Sequence, residues 1–163
     1  MTAALDQVGV TPDGDPQALA ALAAGSVGAA VRLVTLGGLG LYAEIVGLMA
    51  GLPRLDRARA LRLAEQVAQR GAEARRELFF ELTDLFLVRL ARTGATGAPP
   101  ATEAAPGEAA LLARLSPDAG RARAWAQLSE EVGARARHGQ AVNLDPASLV
   151  LDTTLRIAKG AAA

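Results

Sequence analysis

The stretch Ala72–Thr93, AEARRELFFELTDLFLVRLART, decides how the rest of the chain is read. Leu78, Phe79, Leu82, Leu85, Phe86, Leu87, Val88 and Leu90 recur at helical spacing and cover more than one face. A helix that is apolar over most of its circumference is either central in its domain or set against a partner. No segment gives a convincing strand pattern, so the expected fold is all-α, a helical bundle.

Working outward toward the N-terminus, each apolar run is bounded by start and stop signals. Asp56 is placed to cap a helix on which Ala60, Leu63, Ala64 and Val67 form one stripe, with Arg59, Arg62, Gln66 and Gln69 opposite and Gly71 closing it. Leu39–Ala50 reads as the helix before, with Leu41, Ile45 and Leu48 on one face and Gly51 and Pro53 beyond its end. Earlier still, Ser26 caps a helix that runs to about Leu36, where Gly37 and Gly38 break it. Asp15-Pro16 opens the first helix, which Gly25 stops.

In the other direction, residues 93–107 (TGATGAPPATEAAPG) read as a flexible low-complexity loop, given their three prolines and three glycines. Ser116-Pro117 is taken as the start of a long helix with Trp125, Leu128, Val132 and Ala136 on one stripe. Asp145-Pro146 starts the last helix, with Leu151, Leu155 and Ala158 aligned. The expectation is six to eight helices, with two layers open as an arrangement.

Composition narrows the chemistry. Of 163 residues 51% are hydrophobic but only 3% aromatic, so a core must be built mainly from Ala, Leu and Val. The absence of Cys excludes disulfides, thiol nucleophiles and Cys-ligated zinc. With 17 basic and 17 acidic residues there is no global field toward nucleic acid or an anionic membrane. Met1–Val10 has no leader pattern, and residues 33–52, the one membrane candidate, contain Glu44, Tyr42 and several glycines and read as buried core helices. A cytoplasmic location is expected.

No catalytic, cofactor or metal site is expected. His138 is the single histidine, sits at a helix end and has no cysteine or second histidine to share a metal with. Glu77 and Glu81, and the pair Glu130-Glu131, have arginines nearby in sequence and read as solvated salt-bridge faces. Arg54, Arg57, Arg59 and Arg62 form a basic cluster, but no aromatic residues interleave with it for base stacking. Trp125, Phe79 and Phe86 are candidates for the core or an interface, as are Leu151 and Leu155, because the last helix and the Phe-bearing helix carry more apolar surface than one small bundle needs.

Three segments together carry a family resemblance. They are Gly25-Ser26-Val27-Gly28-Ala29-Ala30 with Val31, Arg32 and Leu33; the Phe79–Leu90 helix; and Trp125 followed by Asn143-Leu144-Asp145-Pro146 and Leu149–Ile157. In this order and spacing the chain resembles the C-terminal part of delta-prime subunits of the bacterial DNA polymerase III clamp loader. The resemblance implies that residues 1–37 are the end of a helical AAA+ lid domain. It implies that residues 38–163 are the collar domain, which packs with other subunits in a ring. The family's ATPase-like domain, with its zinc module and arginine finger, would precede Met1.

In ATP-hydrolysing relatives the first motif reads Gly-Ser-x-Arg, and that Arg senses nucleotide phosphate. Here Gly28 holds the position and has no charge to offer. Val27 stands where many delta-prime sequences have Pro. The resemblance implies a non-catalytic assembly role, with delta and gamma/tau-type subunits as partners. Primed DNA and the sliding clamp would be met only through the whole complex, and DNA-directed DNA polymerase activity would belong to the holoenzyme. Two other readings are the collar of a gamma/tau-type ATPase subunit, which Gly28 disfavours, and a freestanding helical nucleic-acid-binding protein, which the zero net charge disfavours.

Overall fold

The computed structural model describes residues 14–163, so the N-terminal segment Met1–Val10 lies outside it. Among the described residues there are eight helices and no strand. They are α1 (Pro16–Ala23), α2 (Val27–Thr35), α3 (Gly38–Met49), α4 (Arg57–Ala68), α5 (Glu73–Thr96), α6 (Glu108–Leu115), α7 (Ala119–Ala141) and α8 (Pro146–Ala162).

Four of the start signals act as the sequence suggests. The side chains of Asp15, Ser26, Asp56 and Asp145 each accept a hydrogen bond from a first-turn backbone N–H, those of Gln17, Ala29, Arg59 and Ser148. Each bond occupies a donor that the helix itself cannot pair. The stop signals are less literal. Helix α4 ends at Ala68, three residues before Gly71, because Gln69 already leaves helical geometry.

Three expectations need correcting between residues 93 and 119. Helix α5 runs on through Thr96, so the loop begins at Gly97 and not at residue 93. Gly97 ends it with φ 74, a left-handed backbone that glycine adopts without strain. Gly94 lies inside the helix because a Cβ there would come within 2.5 Å of the Asp118 carbonyl oxygen and 3.1 Å of the Ala122 Cβ. Its role is close approach of α5 to the start of α7, not flexibility. The 97–107 segment also contributes buried Ala104 and Ala105 to the core.

The second correction is an additional helix, α6, between the loop and Ser116. Its Leu111, Leu112 and Leu115 are buried. Third, Ser116-Pro117 does not open α7. The Ser116 N–H donates to the Leu112 carbonyl at 2.9 Å and closes α6, and Asp118 caps α7 by accepting from the Arg121 N–H at 2.9 Å.

Helix α5 is the hub. It packs along α7 over most of its length and also touches α3, α4 and α6. Helix α8 lies across α4 and α7. One continuous apolar cluster runs from Leu19 and Leu22 on α1, through Leu41, Ile45, Phe79 and Phe86, to Val150 and Ile157 on α8. Residues on both sides of the expected boundary at 37/38 therefore share one core. Residues 38–49 form a core helix, and no single helix among the described residues is long and apolar enough to cross a membrane.

Candidate interaction surface

The aromatic candidates resolve to core. Phe79 and Phe86 are fully enclosed, and Phe79 meets the half-buried Phe80 edge-on at 5.3 Å between ring centroids. Trp125 is enclosed where α6, α7 and α8 meet. Its indole N–H donates to the Leu115 carbonyl at 2.9 Å. The Phe-bearing helix does not present the surplus apolar surface that its sequence suggests: its one strongly exposed large apolar residue is Val88.

The two resemblance motifs at helix boundaries have local work to do. Gly25 takes a left-handed φ, Ser26 caps α2, and Gly28 lies exposed in its first turn. At the other boundary the Leu144 N–H reaches the Gly139 carbonyl at 2.9 Å and the Asn143 N–H reaches Gln140 at 3.2 Å, with Asn143 left-handed at φ 54. That is the Schellman end of α7, with Leu144 leaning on Gly139. Asp145 and Pro146 then start α8 at once. Ser148 donors hold the Asp145 carboxyl below the usual carboxylate range, so acid weakens this cap. Replacing Ser26 by Ala removes the α2 cap and should cost about 1 kcal/mol, read as a shift in urea midpoint without a change in slope.

The charged candidates are mostly structural. Glu81 pairs with Arg32 at 2.6 Å, and Glu77 sits 3.6 Å from the same guanidinium, so their partner comes from α2 and not from neighbouring arginines in sequence. Glu131 pairs with Arg156 at 2.6 Å, and Arg135 turns to Asp152. Arg59 of the basic cluster donates to the Gly47 carbonyl near the end of α3, and Arg75 and Arg114 do the same for Leu36, Leu52 and Ala50. These guanidinium groups satisfy carbonyls at the ends of α2 and α3 and in the turn after α3, where no intrahelical partner is available. His138 is exposed in the last turn of α7. Among the described residues no three His, Asp or Glu side chains gather as a metal site.

The last helix carries a correction. Leu151 and Leu155 are not on its buried stripe with Ala158; the inward positions are Leu149, Val150, Thr153, Thr154, Ile157 and Ala158. Packing against both α4 and α7 turns a wide arc inward, and Leu155 is left 47% exposed. Leu155 and the half-buried Leu151 meet Leu55, Ala60 and Leu61 of the α4 region, with Leu61 45% exposed, in a surface groove of about 410 Å³. The groove also has Arg57 in its wall and no carboxylate. It is the most apolar recess that the candidates build.

One buried constellation was not anticipated. Glu108, at the first position of α6 and 0% exposed, accepts from the Tyr42 hydroxyl at 2.5 Å, Arg89 Nε at 2.6 Å, Arg89 Nη2 at 3.0 Å and the Ala104 N–H at 2.7 Å. Arg89 also donates to the Thr102 carbonyl at 2.9 Å. The signal was present, since Arg89 interrupts an apolar run and buried charge demands a partner. Its partner lies nineteen residues away across a loop and could not be named from sequence.

Burial first, then the bond to the Glu108 carboxylate, drives the Tyr42 phenol far above its usual value. A raised folded-state pKa leaves stability intact below the unfolded value of about 10 and removes it as pH rises beyond that, by about 1.4 kcal/mol per unit. Urea midpoints should therefore fall between about pH 10 and 11, and Tyr42→Phe should flatten that fall. Tyr42 is the only tyrosine, so tyrosinate absorbance must rise together with unfolding.

Comparison with protein-family models, with curated proteins and with solved structures finds no match for the chain.

Proposed function

We propose that the chain is a non-catalytic assembly module, the end of the lid and the collar of a clamp-loader subunit of the delta-prime type. In this reading it packs beside delta and gamma/tau-type subunits in the ring that supports sliding-clamp loading during DNA replication. It meets primed DNA and the clamp only as part of that complex, in the cytoplasm, and performs no chemistry itself.

The observation that carries the reading is Gly28. Ser26 caps α2, and Gly28 occupies an exposed first-turn position where a Cβ would have ordinary room. Helix starts of this kind attract phosphate, and in ATP-hydrolysing relatives an Arg at this place senses it. A glycine in an uncrowded position is not there for packing, which supports a subunit that does not sense nucleotide. The order of the three resemblance segments supplies the rest.

Co-expression of the tagged chain with delta and gamma/tau-type subunits tests this. Co-elution on size exclusion is the expected result. A folded, soluble chain that elutes apart from both would reject the assignment. An intact Walker A lysine encoded in the same polypeptide would instead favour the gamma/tau-type reading.

A further inference from the structure

We infer that the leucine groove between α4 and α8 docks an amphipathic helix of a partner protein whose apolar stripe is flanked by Asp and Glu. This rests on the assembly reading only for which protein supplies the helix. The groove runs between two packed helices, and such a channel takes a third helix by ridge-into-groove packing. Leu61 of α4 and Leu155 of α8 both line it, with nearly half of each exposed.

The charge around the groove selects the flanks. Arg57 lies in the wall, Arg54 precedes Leu55, and Lys159 stands one helical turn beyond Leu155. All three are exposed, and none makes an ion pair among the described residues. Of the nearby carboxylates, Asp152 is paired with Arg135 and Arg156, whereas Asp56 accepts the Arg59 N–H as a helix cap and keeps its negative charge. Glu65, one turn beyond Leu61, is a second anion without an ion pair among the described residues, so three exposed cations stand against two anions around the groove. An acidic-flanked helix meets this surplus of cations favourably. A second copy of the chain would bring the same cations against each other across a two-fold axis.

The test uses the complete chain and two fluorescein-labelled amphipathic peptides with one leucine stripe, the first flanked by Glu and the second by Lys. Anisotropy should show the Glu peptide binding at least about tenfold tighter, with the preference shrinking as salt rises. Leu61→Asp with Leu155→Asp should remove binding while leaving the far-UV spectrum intact, and Arg57→Glu with Lys159→Glu should narrow or invert the preference. Equal affinity for both peptides, or binding untouched by the leucine pair, overturns the inference. So does tighter binding to phosphatidylglycerol vesicles than to either peptide, or self-association that the leucine pair abolishes. If clamp-loader subunits co-elute equally with the leucine variant, the groove inference fails and the assembly reading stands. If no subunit co-elutes but the Glu peptide is still selected, the reverse holds.

Discussion

Replacing Glu108 by Ala should destabilise the chain by about 3–5 kcal/mol, because it strips a buried cation of its partner. Arg89 is only 8% exposed and holds its guanidinium against that one carboxylate through both Nε and Nη2. The same change orphans the Tyr42 hydroxyl and the Ala104 N–H. Native domains of this size are stable by about 5–15 kcal/mol, so a large part of the total is at stake. Chemical denaturation followed by far-UV circular dichroism measures it.

Replacing the whole constellation by apolar residues should behave differently. In Tyr42→Phe/Arg89→Met/Glu108→Leu no charge remains buried, and most of the loss should be regained. The Ala104 N–H and the Thr102 carbonyl keep a small residual cost, since both lose a partner. If the single and triple variants unfold at the same urea concentration, the ion pair is not what holds α6 in place.

Trp125→Ala should cost about 3–5 kcal/mol through the cavity it opens, with more from the Leu115 carbonyl left without its donor. Trp125 is 1% exposed, and the Arg121 guanidinium lies 5.1 Å from the ring centroid while Arg121 also donates to the Gly160 carbonyl at 3.0 Å. The side chain therefore joins the end of α6, the first turns of α7 and the end of α8. Trp125→Phe keeps most of the volume and loses the N–H, so its cost should be about 1–3 kcal/mol. An alanine variant as stable as the wild type would mean that the indole is not a core anchor. If instead the variant lost partner binding and kept its stability, Trp125 would be an interface residue.

The division between the last two helices shows how far local signals reach. Asn143-Leu144-Asp145-Pro146 states a helix end and a helix start in four consecutive residues, and the backbone obeys both. Capping is a contest between neighbours in sequence, so it can be read there. The same holds for Asp15, Ser26 and Asp56 and for the all-α class, whereas packing decides between the two places the sequence allows the Phe79–Leu90 helix, at the centre of the domain or against a partner. Three features depended on chain segments far apart. Gly94 belongs inside α5 because α7 crosses there, Glu108 matters because Tyr42 and Arg89 converge on it, and Leu155 faces outward because α4 and α7 claim the adjoining arc of α8. Sequence by itself determined where the helices capped by Asp15, Ser26, Asp56 and Asp145 begin and which residues are apolar. Which side of each helix is covered was decided only by tertiary packing, because burial is a property of what lies opposite, and periodicity carries no record of that.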